Sequence, residues 1–245
     1  MVMFYDLFIS KEFYDPESDA GRYRMEFLID ALKEHRRLFG SKALDIGCGA
    51  GTSSFALEKL GLDVTGIDIE ESFVLRAREI AAKKGYKARF FVMDAKSITI
   101  NEEFDSIFML GDLIFHLSVS DFIEIVERLK GLLKSNGVLV IEYSDFIESL
   151  FRKEELVPLP TELKRRTILS YDPENGRLRI IIITKELEED KYEAEEIGVY
   201  IWAPWILEQT LSLLGFEKLL RERFCNKIYL DIYTKRKFAK GISTH

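Results

Sequence analysis

The chain has 245 residues, 47% of them hydrophobic and 31% charged, which suits one large domain with an insertion and excludes a disordered or fibrous protein. Its net charge of -7, from 35 Lys and Arg against 42 Asp and Glu, disfavours nucleic acid as a partner and favours small molecules. Apolar runs such as Val138 to Ile141 fall far short of the roughly 20 residues that cross a bilayer. The first ten residues contain Asp6 and no basic segment ahead of an apolar stretch, so neither a membrane span nor a secretory signal is expected and a cytoplasmic protein is. Cys48 and Cys225 lie too far apart for a disulfide framework, and His35, His116 and His245 have no metal-ligand spacing, so no metal is expected.

In chain order, an arm leads into a helix over Arg22 to Arg37, whose apolar residues Phe27, Leu28, Ala31 and Leu32 recur at helical spacing. Strands over Ala43 to Ile46, Leu62 to Ile69, Lys87 to Met93, Phe104 to Leu110 and Gly137 to Tyr143 then alternate with helices over Ser53 to Leu60, Glu71 to Lys84 and Asp121 to Lys134. Strands joined by crossover helices imply a parallel sheet covered on both faces. The alternation stops at Asp145. Strand-like pieces over Arg165 to Tyr171 and Arg177 to Leu187 flank the turn Asp172-Pro173-Glu174-Asn175-Gly176, and Tyr192 to Trp202 extends that hairpin. A helix starting at Pro204 and two strands joined at Cys225-Asn226, an antiparallel pair at the sheet edge, complete the pattern.

The expected fold is α/β: a doubly wound, mostly parallel seven-stranded sheet with an antiparallel last strand and a small antiparallel β cap inserted after strand five. The expected division is an N-terminal arm and helix over 1–40, a cofactor-binding domain over 41–145 and 203–236, and a substrate cap over 146–202.

The most informative segment is Ala43-Leu44-Asp45-Ile46-Gly47-Cys48-Gly49-Ala50-Gly51-Thr52-Ser53, a strand ending in a glycine-rich turn that opens a helix. Such a turn lets a ligand approach the backbone and meet helix-start amides. Asp68 ends the second strand about 20 residues on, where a carboxylate accepts two ribose hydroxyls. The glycine spacing departs from the dinucleotide fingerprint, because Thr52 stands where that pattern has its third glycine. Asp45, ahead of the first glycine, is placed to receive an ammonium.

Leu44-Asp45-Ile46-Gly47-Cys48-Gly49-Ala50-Gly51 resembles the first motif of the class I S-adenosylmethionine-dependent methyltransferases. The resemblance implies S-adenosyl-L-methionine as cofactor, held by Asp45, Gly47, Cys48, Gly49 and Gly51. Asp68 then holds the ribose, Ile69 packs on adenine, Asp94 takes the adenine amino group, the Ala95 amide meets the ring, and Leu110 and Gly111 lie beside the methionine part. Within this family the chain lacks an Asn/Asp-Pro-Pro-aromatic motif, a Pro-Cys nucleophile and the Asp-Asn pair of metal-dependent catechol-type enzymes, and is similar to small-molecule enzymes of the glycine N-methyltransferase-like kind. Nitrogen or oxygen methylation of a small molecule is implied. A non-catalytic cofactor-binding protein and a protein or RNA methyltransferase that uses the cap remain as alternatives.

Methyl transfer chiefly needs alignment and exclusion of water. His116 is a candidate base because imidazole titrates near neutrality, against a structural or solvent-facing histidine. Asp112 is a candidate for binding a substrate amine, against a loop or capping carboxylate. Tyr5 and Tyr14, in the repeated Phe-Tyr-Asp, resemble tyrosines that close over the methyl donor, against anchors of an arm. Arg22 and Arg24 read as a solvated helix face rather than as contacts to a cofactor carboxylate. Lys164, Arg165, Arg166, Arg177 and Arg179 make the cap locally basic, an anion site or a solvated strand face, and Trp202 and Trp205 read as core.

Overall fold

A computed structural model describes residues 15–111, 113–145, 147–148, 166–188, 191–224 and 228–236, with only the backbone at 166–169, 181–188 and 191–195. Helix α1 spans Asp19–Lys33, capped by Ser18, whose hydroxyl accepts from the Gly21 amide at 2.8 Å. It starts and ends earlier than its apolar spacing predicts. His35 leaves helical geometry, and the Arg36 guanidinium donates to the carbonyls of Leu60, Gly40 and Gly61, which draws the chain into a 3₁₀ turn over Arg36–Leu38.

The parallel unit follows as β1 (Lys42–Ile46), α2 (Thr52–Lys59), β2 (Asp63–Asp68), α3 (Glu71–Lys84), β3 (Arg89–Val92), β4 (Phe104–Met109), α4 (Val119–Leu132) and β5 (Leu133–Ser144). Helix α4 begins two residues before the expected Asp121 because Ser118 and Asp121 form a reciprocal capping box. Strand β5 begins at Leu133, inside the expected helix and ahead of the expected Gly137, since Leu133 is already paired with Phe104 and buried.

A second sheet comprises β6 (Arg166–Asp172), β7 (Arg177–Glu188) and β8 (Lys191–Tyr200) in the order β6-β7-β8, all antiparallel. Helix α5 (Pro204–Leu213), β9 (Phe216–Phe224) and β10 (Ile228–Lys235) return to the main sheet, whose order is β3-β2-β1-β4-β5-β10-β9. The last strand therefore lies inside the sheet, antiparallel to both β5 and β9, and β9 forms the edge. Burial explains that order. Ile228, Leu230, Asp231, Ile232 and Tyr233 of β10 are buried, whereas the charged Glu217, Arg221 and Arg223 of β9 tolerate an edge.

The period of two along β5 separates the cores. Val138 and Val140 join Met25, Leu28 and Leu32 of α1 and the apolar faces of α2 and α3, whereas Leu139 and Ile141 join Phe122, Ile125 and Leu129 of α4 and Leu207 and Leu211 of α5. Leu178, Ile180 and Val199 of the small sheet belong to this second core. Trp202, fully buried, ties the segment after β8 to it by donating from Nε1 to the Leu117 carbonyl at 3.0 Å and by an edge contact to Phe122, whereas Trp205 is exposed.

Candidate active site

Strands β1 and β4 are neighbours, but the helix after β1 packs on one face of the sheet and the helix after β4 on the other. The two connections part at the carboxyl ends of these strands and leave a crevice, the usual ligand position in an open α/β sheet. The candidate cofactor residues border it in chain order: the turn 47–51 after β1, Asp68 at the end of β2, Asp94 after β3 and Gly111 after β4.

The glycine turn is tightly self-bonded. The Gly47 and Cys48 amides donate to the Ile67 carbonyl at 2.8 and 3.0 Å, Gly51 donates to the Cys48 carbonyl at 2.9 Å, and Gly49 donates to Asp68 Oδ2 at 2.8 Å. These amides are used within the protein, so what the turn offers a ligand is close approach. Asp68 Oδ1 accepts from the Glu70 amide at 2.9 Å, and each of its oxygens keeps a lone pair for a further donor. Ile69 beside it is 64% exposed, which makes it an apolar platform at the crevice. Asp94 caps the 3₁₀ turn Ala95–Ser97 by accepting from the Lys96 amide at 2.8 Å. Leu110 is buried, and Gly111 takes φ +70°.

Asp45 is the most distinctive group. It is fully buried, and its Oδ2 accepts from the hydroxyls of Ser53 and Ser54 at 2.6 Å each, whereas Oδ1 is buried with no hydrogen-bond partner. Burial pushes its pKa up to about 6, with the two hydroxyls and Arg24 acting against that rise and the Asp68 charge adding to it. An orphaned carboxylate oxygen in the crevice fits a ligand that brings an N–H donor, which the ammonium of an amino-acid cofactor does. Cys48 is different: its side chain is packed in the core against Gly66, and burial holds the thiol well above its ordinary pKa, so only its backbone faces the turn.

His116 closes a 3₁₀ turn over Leu113–His116. It keeps an exposed edge, and the protein around the remainder of the ring pulls its pKa below the ordinary imidazole value, with the Asp68 carboxylate opposing. Tyr5, Tyr14 and Asp112 lie outside the described residues, as do Lys164 and Arg165.

Two residues important to this crevice were missed or misread in the sequence. Arg24 is not on a solvated face; it is buried, and donates from Nη1 to Glu142 Oε1 at 2.6 Å and from Nη2 to Oε2. Glu142 also accepts from the Gly111 amide at 2.9 Å. The signals were present, since Arg24 shares a helical stripe with Leu28, Ala31 and Leu32 and Glu142 shares a strand face with Val138 and Val140. Arg22, by contrast, is exposed and paired with Asp19. In the small sheet Arg177 and Arg179 are exposed on the face opposite Leu178 and Ile180, with Arg179 bonded to Glu196 at 2.7 Å, so these two form a solvated strand face. Among the described residues no group of three or more His, Cys, Asp or Glu is placed to hold a metal ion, and no helix is long and apolar enough to cross a membrane.

Residues 43–137 match a family model described as a methyltransferase domain. Those residues, from β1 into β5, are the methyltransferase-domain part of this chain. Over 124 residues it is 31% identical to a glycine/sarcosine N-methyltransferase from Aphanothece halophytica, covering 49% of this chain and 46% of that protein. A ubiquinone biosynthesis O-methyltransferase from Actinobacillus pleuropneumoniae is 36% identical over 108 residues, 42% of this chain and 45% of the relative. The chain thus spans about half the length of the curated relatives it matches. The crystal structure of the PH0226 protein from Pyrococcus horikoshii superposes with a TM-score of 0.75 and 26% identity over 91% of this chain and 94% of that one. The similarity to these curated relatives covers under half of the chain, whereas the structural similarity covers nine-tenths of it.

Proposed function

We propose that the protein transfers a methyl group from S-adenosyl-L-methionine to a nitrogen or oxygen of a small molecule in the cytoplasm, with residues 146–202 forming a cap over that acceptor. The observation that carries this reading is Asp45, a buried carboxylate with one oxygen left without a donor at the glycine turn of a methyltransferase domain. The curated relatives, an N-methyltransferase and an O-methyltransferase by name, support a small acceptor.

In this reading Asp45 receives the cofactor ammonium, the two remaining lone pairs of Asp68 receive the ribose hydroxyls, and Ile69, Asp94 and the Ala95 amide surround adenine. The cofactor supplies a methyl group on a positively charged sulfur, an electrophile that needs no metal. The protein aligns the acceptor behind that methyl and excludes water. His116 takes the acceptor's proton, and its lowered pKa keeps the ring neutral at physiological pH. Calorimetry tests the cofactor: S-adenosylmethionine and its demethylated product should bind in the micromolar range and NAD at least about tenfold more weakly. Tighter NAD binding would overturn the reading. Product formation from a panel of small amines and hydroxyl compounds then finds the acceptor.

A further inference from the structure

A short turn joins the glycine turn to the small sheet. Beyond β4 the chain enters the 3₁₀ turn Leu113–His116 and reaches Ser118, which caps α4. At the near end Leu113 lies against the glycine turn, close enough that a β-carbon at Gly47 would sit 2.8 Å from its Cδ1. At the far end the Leu117 amide donates to the Ile114 carbonyl at 3.0 Å, but the Leu117 carbonyl stands outside α4, whose ladder opens with the Phe122 amide bonded to the Ser118 carbonyl. The donor for Leu117 comes from beyond the small sheet: Trp202 Nε1 at 3.0 Å. Trp202 follows β8 by two residues, and β8 itself packs against the turn. A single 3₁₀ turn has poor hydrogen-bond geometry of its own, so what braces it decides how firmly His116 is held.

We propose that Trp202 is a positioning residue: its bond to the Leu117 carbonyl locks the turn 113–117 and with it the place of the His116 ring beside the crevice. The proposal rests on the reading above that His116 takes the acceptor's proton, since a base must stay within hydrogen-bond reach of one atom. Trp202 is fully buried, with an edge contact to Phe122 at 4.9 Å between ring centres. A phenyl ring would also fill apolar space there, but the indole N–H adds a donor, and a buried indole needs an acceptor. The Leu117 carbonyl is that acceptor, one residue from His116. The small sheet thereby braces the acceptor side of the site from behind, in addition to the covering role proposed for residues 146–202.

The test is NMR spectroscopy of the full chain, labelled at histidine, tryptophan and backbone nitrogen, in wild type, Trp202→Phe and Phe122→Leu. Trp202→Phe keeps an aromatic ring and removes the donor, whereas Phe122→Leu removes the edge contact and keeps the donor. In Trp202→Phe, deuterium exchange of the Leu117 amide should quicken about tenfold more than that of the Val140 amide, a buried reference for global unfolding paired with strands on both sides. The His116 ring signals, assigned with His116→Asn, should shift as well. In Phe122→Leu the two amides should quicken together and the His116 signals should stay in place. Equal quickening of both amides in Trp202→Phe, His116 signals at their wild-type positions there, or His116 signals moved as far by Phe122→Leu would each overturn the proposal and leave Trp202 as core filling. Should Trp202→Phe fail to fold, wild type decides. The chain has two tryptophans and Trp205 is exposed, so the protected indole N–H belongs to Trp202. Its protection should match that of the Leu117 amide within about tenfold, because one opening frees both, and a larger difference would overturn the lock. Calorimetry with S-adenosylmethionine separates the two failures: wild type that does not bind it sinks the methyltransferase reading, whereas wild type that binds it while His116 ignores Trp202→Phe sinks this inference alone.

Discussion

Replacing Asp45 with Asn should remove a pH-dependent burden on the fold while removing the group proposed to hold the cofactor ammonium. Burial raises this carboxyl from an ordinary value of 3.8 to about 6, so the folded protein holds the proton more tightly than the unfolded chain does. The sign follows: the cost is absent well below the unfolded value, grows as pH rises through it, and is complete above the folded value. At 1.36 kcal/mol per unit the full cost is about 3 kcal/mol near pH 8 and about 1 kcal/mol near pH 4.5. Asn keeps an acceptor toward Ser53 and Ser54 but buries an amide N–H group, a roughly constant loss of about 1–3 kcal/mol that does not titrate. Relative to wild type, the variant should therefore gain about 2 kcal/mol between pH 4.5 and pH 8, or roughly 4–8 °C in midpoint for a chain of this size. Thermal unfolding of both proteins at the two pH values measures this. Midpoints that move in parallel with pH would show that Asp45 is not the group whose burial is strained, and intact S-adenosylmethionine binding by the variant would refute its proposed role.

Asp68→Ala should cost about 1.5–3 kcal/mol of S-adenosylmethionine affinity, the range for hydrogen bonds to a charged group; Asp94→Ala should lose less and relax selectivity against base-modified analogues, and calorimetry giving equal values would contradict the assigned roles. Gly51→Ala should destabilise the unliganded protein by about 1–3 kcal/mol in urea unfolding, because φ is +96° and the added carbon would lie 2.8 Å from the Phe55 ring. Asp231→Ala should cost about 2–4 kcal/mol in the same assay, since it takes the two-pronged partner from Arg221, which keeps Glu208 at 3.4 Å, and removes the acceptor of the Tyr143 and Tyr233 hydroxyls; a loss under about 1 kcal/mol would mean that the network is replaceable.

Local signals made the parallel unit legible. Ala43 to Gly51 announces a buried strand, a turn and a helix within one short stretch, and Asp68 follows at the interval that one crossover helix sets. Patterns that depend on partners far away in sequence were not readable in the same way. The place of β10 inside the sheet depends on Asp231 being neutralised by Arg221 of β9 and by two tyrosines, which turns a strand with a central charge into one that is buried. Arg24 and Glu142 stand 118 residues apart, and each alone looks like a surface residue until the apolar stripe it shares is taken as the stronger signal. Of the two readings of the basic cap, the solvated strand face applies at Arg177 and Arg179 for a simple reason: the period of two that buries Leu178 and Ile180 turns both arginines outward.

A glycine-rich turn after a first strand is readily taken as the imprint of a ligand, but in this protein Gly47 and Gly51 are demanded by the protein's own packing. A β-carbon at Gly47 would lie 2.8 Å from Leu113 and one at Gly51 2.8 Å from Phe55, at backbone angles of +69° and +96° that side chains avoid. Both conflicts exist before any ligand arrives, so loss of binding in glycine variants would report on folding as much as on recognition. Packing makes no such demand for a carboxylate at position 45. Asp45 carries a desolvation cost of about 3 kcal/mol at neutral pH, and its Oδ1 takes no hydrogen bond in return. Groups that burden the fold in this way are characteristic of binding and catalytic sites. In this crevice the carboxylate, more than the glycines, points to a cationic ligand.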